Sequence, residues 1–213
     1  MTADRQLLVL DHPVVQHRLA VLRDRTTDSA SFRQLVREIS ALVAYEALRD
    51  LVTEEWAVDT PVFPGAPCRR VAETLLLVPV LRAGLGMVQA VQELVPLTEV
   101  AHVGLRRDEE TLQPEVYLNR LPADLHDRRV VICDPMLATG GSLAQVCEFV
   151  RARGATRVQA LCLIAAEPGV RHFHSLHPDV PVACAALDPT LDDRGFILPG
   201  LGDAGDRLFG PPA

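Results

Sequence analysis

A strand, a loop and a helix follow one another without interruption in the middle of the chain. The apolar and partly β-branched run Val130–Cys133 predicts a buried strand that ends at Asp134. From Leu143 onward, apolar side chains recur at helical spacing. Gly140 and Gly141 in the intervening loop let the backbone approach a ligand closely. Because N–H groups at a helix N-terminus bind phosphate oxygens, this segment predicts a phosphate-binding site.

The rest of the chain alternates apolar strands with helices in the same way. One helix is predicted from Leu143 to near Gly154, and a second over Glu167–His177. Further buried strands are predicted at Leu75–Leu81, Val158–Ala166 and Val180–Leu187. Such alternation indicates a parallel, doubly wound α/β sheet. With 213 residues and no internal repeat or linker, the chain has the size of one domain.

The first half of the chain adds a long helix and two hairpins. Thr26–Ser29 offers candidate N-caps, and the apolar spacing that follows, as far as Leu48, predicts a helix of about five turns. Prolines interrupt Leu51–Arg70, which is predicted as strand–turn–strand. Val100–Leu121 is predicted as two strands joined by a polar, acidic loop, which together form a protruding hairpin.

All 21 basic residues are arginines, and the chain contains no lysine. Codon bias is the simplest explanation, but the consequence is chemical: the phosphate-loop lysine of nucleotide triphosphatases is absent. Any phosphate clamp must therefore use backbone N–H groups, hydroxyls and arginine, whose planar guanidinium binds oxygen pairs in a two-pronged way. The net charge of −7 argues against a dedicated nucleic-acid binder.

The location and the metal content follow from other features of the composition. No segment approaches the ~20 consecutive apolar residues of a membrane span, and the first residues lack the pattern of a secretory signal. We therefore expect a cytoplasmic protein. The five cysteines form no Cys-x-x-Cys pair, which predicts buried, reduced thiols. His172 and His174 cannot share a helix face, so we expect no metal site beside His177.

Two further segments combine glycines with charged residues. Arg82 follows a predicted strand and precedes a glycine turn, which places it at the carboxyl edge of the sheet, where open α/β sheets bind ligands. Gly200, Gly202 and Gly205 have the spacing of a dinucleotide fingerprint. Only eight residues follow Gly205, too few for the helix and strand that this fingerprint requires. The alternative is a loop whose bare backbone reads a small planar ligand.

The string Asp-Pro-Met-Leu-Ala-Thr-Gly-Gly-Ser at 134–142 resembles the phosphoribosyl-pyrophosphate (PRPP) loop of type I phosphoribosyltransferases, in the form typical of uracil phosphoribosyltransferases. Similar strings occur as His-Pro-x-Val-x-His-x-Leu at 12–19, Leu-Arg-Ala-Gly-Leu-Gly-Met at 81–87, Asp-Glu-Glu-Thr-Leu at 108–112 and Ile-Leu-Pro-Gly-Leu-Gly-Asp-Ala-Gly-Asp at 197–206. The resemblance spans about Val9 to Gly210, and only Leu51–Arg70 is loosely matched.

This resemblance implies a fold and a reaction. The fold is α/β, with a type I phosphoribosyltransferase-like core whose mostly parallel sheet is flanked by helices. A flexible β-hairpin arm at about 103–121 and a C-terminal base-binding hood loop at about 192–206 complete a single domain of residues 1–213. The reaction converts uracil and PRPP to UMP and pyrophosphate in pyrimidine salvage. Cys133 stands where many type I enzymes have a second acidic residue, so Mg2+ is expected to be bound mainly through PRPP.

The resemblance also assigns roles to individual residues. Asp134 and Arg107 are implied to be catalytic, and no residue is implied to be a metal ligand. The PRPP-binding residues are implied to be Arg82, Arg107, Asp134, Pro135, Met136, Leu137, Ala138, Thr139, Gly140, Gly141, Ser142 and Asp203. The uracil-binding residues are implied to be Ile197, Gly202, Asp203 and Ala204, largely through main-chain groups. Asp203 is also a candidate for assisting uracil deprotonation through a water molecule.

The expected partners are the small molecules uracil and PRPP, with no nucleic acid and no membrane. A homodimer or higher homo-oligomer is expected, and the sequence leaves open whether GTP acts as an allosteric effector. Two competing functions share such a fold. An RNA-binding regulator would present a basic face, which the net charge disfavours. A purine phosphoribosyltransferase would differ at Gly202–Ala204, because a pocket built to hydrogen-bond one base rejects others.

Overall fold

The computed structural model describes residues 6–107 and 114–210, apart from the side chains of Arg107 and Pro114. Its helices are α1 Pro13–Arg23, α2 Ser29–Ala47, α3 Leu85–Leu94, α4 Gly141–Arg151, α5 Glu167–Leu176 and α6 Ala204–Phe209. Its strands are β1 Leu7–Val9, β2 Thr53–Val58, β3 Ala66–Val71, β4 Thr74–Leu81, β5 Glu99–Val100, β6 Val103–Arg107, β7 Pro114–Asn119, β8 Arg128–Cys133, β9 Met136–Leu137, β10 Arg157–Leu161, β11 Ile164–Ala166, β12 Val182–Cys184, β13 Ala186–Asp188, β14 Thr190–Leu191 and β15 Ile197–Leu198.

The central sheet has eight strands in the order β1-β12-β10-β8-β4-β6-β7, and β5 also pairs with β4. All of these pairings are parallel except that of β6 with β7, which is antiparallel. The predicted parallel α/β sheet is therefore confirmed. Because β4, β8, β10 and β12 run side by side and parallel, their carboxyl ends meet at one edge of the sheet, where open α/β folds bind ligands.

Each face of the sheet is covered by its own group of helices. Along β8, Val131 and Cys133 pack into one core cluster with α1, α2, α3 and α6. Val130 and Ile132 alternate with them and pack into the other cluster, with α4 and α5. This two-sided burial explains why the central strands are uninterrupted apolar runs in the sequence.

Helix boundaries follow their capping residues. Asp28 is the N-cap of α2, and its carboxylate accepts hydrogen bonds from the N–H groups of Ala30 and Ser31. His12 caps α1 by accepting from the Val14 N–H, and Pro13 occupies the first turn. The N-cap of α2 lies within Thr26–Ser29, as the sequence predicts. None of the helices in the described part of the chain combines the length and apolar character needed to cross a bilayer.

Two predicted strands are each divided into two strands, so the prediction that they are continuous was wrong. The run predicted at Val158–Ala166 is divided into β10 and β11, and the run predicted at Val180–Leu187 into β12 and β13. β9, β11 and β13 form a separate three-stranded parallel sheet beyond the carboxyl edge of the main sheet. At the break, the N–H groups of Leu163 and Ile164 both donate to the Pro135 carbonyl. An apolar run buried on both faces has no change of period that could mark such a break.

The segment between α2 and β4 forms the antiparallel hairpin β2–β3, as predicted. Among the described strands, β2 and β3 pair only with each other. The prediction of a second hairpin is confirmed for β6 and β7, which are antiparallel with a register shift between Gly104 and Leu105. Its connecting residues, 108–113, lie outside the described chain, so the expectation of a flexible arm there stays a prediction.

Candidate active site

The predicted phosphate loop connects the main sheet to helix α4 at the carboxyl edge. The chain leaves β8 at Cys133, passes through Asp134 and β9, and enters α4 at Gly141. This helix starts two residues earlier and ends three residues earlier than predicted, and Gly154 lies in the turn beyond its end. Within the described chain no side chain caps its first turn, so its leading N–H groups can bind an anion.

Gly140, the residue before α4, is required by both conformation and space. It has φ +84°, in the left-handed region. A Cβ at this position would lie 2.6 Å from the Gly169 carbonyl oxygen in α5, and a Cβ on Gly169 would lie 1.9 Å from the Ala138 carbonyl oxygen. The loop and the start of α5 therefore touch backbone to backbone. Gly169 was not singled out in the sequence, because a glycine near a helix start carries no distinctive pattern.

The loop residues divide into structural and accessible positions. Pro135 and Gly140 are buried, and the Leu137 side chain packs in the core, so only backbone groups of these residues could serve a ligand. Met136, Ala138, Gly141 and Ser142 are partly exposed, and Thr139 is exposed. The hydroxyls and N–H groups of 139–142 are thus the accessible phosphate-binding groups of the loop.

Asp134 has an unusual environment for a carboxylate. Burial raises its pKa from the ordinary 3.8 to about 6, and a hydrogen bond from the Met136 N–H to Oδ1, at 3.3 Å, acts in the opposite direction. Its own N–H donates to the Leu161 carbonyl of the neighbouring strand. The carboxyl group therefore titrates near neutral pH at a fixed place beside the loop, as functional carboxylates often do.

Arg82 lies directly after β4, as predicted, and its side chain is about half exposed. Its Nη2 donates to Asp206 Oδ1 of α6 at 3.3 Å. The peptide bond between Leu81 and Arg82 is cis. Gly84 permits the tight turn that follows, since a Cβ there would lie 2.3 Å from the Cys133 carbonyl oxygen at the end of β8. Arg82 is thereby held at the same sheet edge as Asp134.

Arg107 is the last residue of β6, where it pairs with Pro114 of β7. Its side chain lies outside the described part of the structure, so its assignment to PRPP stays a prediction. β6 adjoins β4 at the sheet edge, with Val80 opposite Val103 and Leu81 opposite Gly104. Arg107 therefore ends the strand beside β4, and Arg82 directly follows β4.

A pocket of about 330 Å³ lies between the phosphate loop and the C-terminal loop. It is lined by Met136, Ala138, Gly195, Phe196, Ile197, Gly202, Asp203 and Ala204. All four residues predicted to bind the base line it, together with two residues of the phosphate loop. Its volume is at the lower end of the range for small-molecule sites. Gly195 and Phe196 were missed in the sequence, although they lie within the predicted loop at 192–206.

The C-terminal loop is shaped by backbone pairing and by two aspartates. β14 and β15 are antiparallel, and Asp192 Oδ1 accepts from the N–H groups of Arg194 and Phe196 in the turn between them. Asp203 is exposed and caps α6 by accepting from the Asp206 N–H at 2.8 Å. Gly202 has φ +84°, and its position has open space on the Cβ side as far as the described atoms show.

No group of three or more histidine, cysteine, aspartate or glutamate residues in the described ranges could hold a metal ion. Among the described carboxylates, Asp203 lines the pocket, Asp134 lies at the start of the phosphate loop, and Asp206 contacts Arg82. Mg2+ is commonly bound through one or two carboxylates together with substrate phosphates. The donor set therefore fits a magnesium ion that arrives with a polyphosphate.

Comparison with known proteins gives a consistent result. The sequence profile of the uracil phosphoribosyltransferase family matches residues 9–211. The chain is 52% identical over 206 residues to the uracil phosphoribosyltransferase of Symbiobacterium thermophilum, covering 96% of this chain and 98% of that one. It is 50% identical over 205 residues to the enzyme of the same name from Alkaliphilus oremlandii, with the same coverage.

Solved structures agree on the fold. The AQ2163 protein of Aquifex aeolicus has a TM-score of 0.91 and 35% identity, covering 96% of this chain and 98% of that one. A hypoxanthine phosphoribosyltransferase of Trypanosoma cruzi has a TM-score of 0.51 and 16% identity, covering 75% and 76% of the two chains. The second likeness concerns the fold alone, and it places the chain among type I phosphoribosyltransferase folds.

Proposed function

The chain belongs to the uracil phosphoribosyltransferase family and transfers the phosphoribosyl group of PRPP to uracil, and we propose that two loops divide the binding of these substrates. The phosphate loop with Arg82 and Arg107 binds PRPP, and the C-terminal loop reads uracil. The observation that carries this division is the pocket between the two loops, whose lining combines Met136 and Ala138 with Ile197 and Gly202.

The donor side binds the two charged parts of PRPP, its 5′-phosphate and its pyrophosphate. The uncapped first turn of α4 and the hydroxyls of Thr139 and Ser142 receive the 5′-phosphate. Arg82 and Arg107 receive the pyrophosphate, where guanidinium groups stabilise the charge that builds up as it leaves. Their support for this role is position: Arg82 directly follows β4 and Arg107 ends β6, and these two strands are parallel neighbours. Binding of PRPP by Arg82 replaces its contact with Asp206.

Asp134 acts on the ribose. As the bond from C1′ to the pyrophosphate oxygen breaks and the bond from C1′ to N1 of uracil forms, positive charge develops on the ribose ring. A carboxylate beside the ring stabilises that charge, and no covalent intermediate with the enzyme is required. With a pKa of about 6, most of the Asp134 population is ionised at pH 7.5. The electron pair of the broken bond leaves with the pyrophosphate.

The acceptor side reads the base with main-chain groups and apolar contacts. Gly202, Ala204, Phe196 and Ile197 all line the pocket, and we assign the base contacts to the backbone of the first two and to the apolar side chains of the last two. Backbone N–H and C=O groups suit the alternating donors and acceptors of a pyrimidine edge. The uracil N1 proton must leave before or during bond formation, and we assign its acceptance through a water molecule to Asp203, which lines the pocket.

Mg2+ would be bound mainly through PRPP, with carboxylates of the site beside it. When bound, the ion offsets the negative charge of the pyrophosphate. Asp134 and Asp203 are the carboxylates that would hold or orient the hydrated ion, because both lie on the loops that face the pocket. PRPP and water would supply most of the ligands of the ion, as is common for Mg2+ bound with substrate phosphates.

The single domain of residues 1–213 is proposed to work as a homo-oligomer, at least a dimer, in the cytoplasm. The hairpin β2–β3 exposes Trp56, Phe63 and Val62, the last at 93%. An isolated two-stranded hairpin is marginally stable in water, and exposed apolar patches are typical of interfaces.

Five unpaired cysteines are usual in a reducing compartment. Allosteric activation by GTP is proposed as a property to test by gel filtration and assay with and without the nucleotide.

The experiment that tests the proposal is direct conversion. Purified protein is incubated with labelled uracil, PRPP and Mg2+, and UMP is separated and counted. We expect UMP and pyrophosphate in equal amounts, no UMP in the presence of a chelator, and no product from hypoxanthine or guanine. Folded protein that makes no UMP would refute the proposal, and product from a purine would reassign the pocket.

A further inference from the structure

We propose that the ion pair between Arg23 and Asp188 is a positioning device that sets the affinity for uracil without touching it. Arg23 is the last residue of α1, and Asp188 is the last residue of β13. As far as the described residues show, the lining of the base pocket includes neither of them. The inference deepens the function proposed above and rests on its assignment of uracil to that pocket.

The pair has the geometry of a strong, specific contact. Arg23 Nη1 donates to Asp188 Oδ2 at 2.7 Å, and Nη2 donates to Oδ1 at 2.7 Å, so both prongs of the guanidinium are used. The Asp188 side chain is 6% exposed and that of Arg23 is 23% exposed. A two-pronged, desolvated arginine–carboxylate contact fixes the orientation of both groups.

Both groups then bind the backbone of one residue in the C-terminal loop. Asp188 Oδ2 accepts a hydrogen bond from the Gly200 N–H at 2.9 Å. Arg23 Nη1 donates to the Gly200 carbonyl at 2.8 Å. Gly200 lies two residues before Gly202, which lines the base pocket. The N–H and the C=O of Gly200 therefore bind Asp188 and Arg23, and these two side chains also bind each other.

A second arginine ties the same loop to the same end of α1. Arg207 Nη1 donates to the carbonyls of Leu22 and Leu201, at 2.7 and 2.9 Å, and Nη2 donates to the carbonyl of Asp24 at 2.6 Å. Its guanidinium also lies over the Phe32 ring at 4.2 Å from the centroid. Residues 22–24 therefore form a support for the loop on both sides of the base-reading residues.

The chemistry of the pocket explains why such a support matters. A loop that binds its ligand through backbone groups cannot reposition those groups by a change of side-chain rotamer. The geometry of its hydrogen bonds to the ligand therefore depends on the contacts that fix the backbone. A shift of a positioning group by about 1 Å can cost on the order of 100-fold in rate. The phosphate loop lies on the opposite side of the pocket and is built from β9 and α4, so most of the groups that bind PRPP do not depend on this support.

The test is steady-state kinetics on the full-length enzyme carrying Asp188→Asn, Arg23→Lys or Arg23→Gln. Asp188→Asn keeps the shape of the side chain but replaces one of its two acceptor oxygens with an NH2 group. Arg23 and the Gly200 N–H, which use both oxygens of Asp188, then share a single acceptor. Arg23→Lys keeps the charge but cannot reach Asp188 and the Gly200 carbonyl with a planar fork. We expect Asp188→Asn and Arg23→Gln to raise KM for uracil about 10- to 100-fold, with a smaller rise for Arg23→Lys, and KM for PRPP to stay unchanged.

Arg129→Gln is the matched control. Arg129 is also a buried arginine, 8% exposed, and it binds Asp50 and Gln159 near the opposite edge of the sheet. Its loss is expected to lower the melting temperature without changing KM for uracil. This control separates a general loss of stability from loss of the loop position. If the Arg23→Gln variant is too unstable to isolate, Asp188→Asn and Arg23→Lys still decide the question.

Two outcomes would overturn the inference. One is an unchanged KM for uracil in Asp188→Asn and Arg23→Lys, and the other is an equal rise in both variants and in Arg129→Gln. The pocket-lining variant Gly202→Ala distinguishes this from failure of the proposed function. If Gly202→Ala raises KM for uracil while the ion-pair variants do not, the positioning role alone is wrong. If Gly202→Ala also has no effect, the assignment of uracil to the pocket is wrong.

Discussion

The phosphate loop and the C-terminal loop face the same pocket, but they are built in different ways. The phosphate loop is built from consecutive elements, β8, β9 and α4, all between Arg128 and Arg151, and its outside backbone contacts come from Leu161, Ile164 and Gly169 in the elements that follow directly. The C-terminal loop is held from far along the chain, because Arg23 contacts Gly200 across 177 positions and Arg207 contacts Leu22 across 185. Donor binding thus depends on local geometry, and acceptor binding depends on long-range contacts.

This difference teaches what each half of the site tolerates. A loop built from consecutive elements is displaced when a new side chain collides with its own backbone. PRPP binding and catalysis are then both lost. A loop held by distant side chains can be displaced by a change outside the pocket, and the base is then bound weakly while the donor is bound normally. Single substitutions in each loop test this contrast.

The largest effect is expected from Gly140→Ala. The new methyl group would collide with the Gly169 carbonyl, since a Cβ there lies 2.6 Å from that oxygen. We expect kcat/KM for PRPP to fall by about 100-fold or more. The control is Gly65→Ala, which has φ +69° but no described atom within 4 Å of its Cβ. It should cost about 1–2 kcal/mol of unfolding free energy and leave the kinetics unchanged. Equal kinetic losses in both variants would mean that the collision is irrelevant.

The next effect is expected from Asp134→Asn, which removes the charge but keeps the shape. We expect kcat to fall about 100-fold, because a charge aimed at the transition state is lost. Stability should change in the opposite direction. The folded-state pKa of about 6 lies above the ordinary 3.8, so the stability that Asp134 contributes is present below pH ~4 and is lost as pH rises through about 6.

Thermal unfolding of both proteins from pH 4 to pH 8 measures this effect. The variant should be more stable than the parent at pH 7.5, by about 1–3 kcal/mol, and equally stable near pH 4. A variant that is less stable at every pH would show that Asp134 is structural rather than catalytic.

The smallest effect is expected from Gly202→Ala on the acceptor side. Its Cβ would enter open space beside the pocket without touching a described atom, so the fold should lose no more stability than in Gly65→Ala. We expect KM for uracil to rise about tenfold through displacement of the base, with kcat/KM for PRPP nearly constant. A fall in kcat/KM for PRPP of the same size would remove the contrast between the loops.

The two loops also differ in how well the sequence predicts them. The apolar run ending at Asp134 and the glycines after it identify a strand, an anion-binding turn and a helix from neighbouring residues alone. The glycine spacing at 200–205 identifies a loop, but nothing nearby identifies what holds it. Asp188 directly follows a predicted strand, the same signal that marked Arg82, yet its partner Arg23 lies near the other end of the chain. Contacts between distant residues leave no local pattern.

The interrupted strands show the same limit within the core. Val158–Ala166 and Val180–Leu187 are continuous apolar runs, so their division into two sheets could not be seen in their periodicity. The division has a consequence for the site, because β9, β11 and β13 form the small sheet that carries Met136 at one side and Asp188 at the other. One sheet therefore connects the donor loop with the residue that anchors the acceptor loop.

The most direct test of separate donor and acceptor readers is a binding measurement. PRPP with Mg2+ is titrated into the parent protein and into Gly202→Ala by isothermal titration calorimetry, in the absence of uracil. We expect PRPP dissociation constants that agree within about twofold, as for independent sites, although KM for uracil differs about tenfold. A PRPP dissociation constant that rises in step with KM for uracil would contradict it.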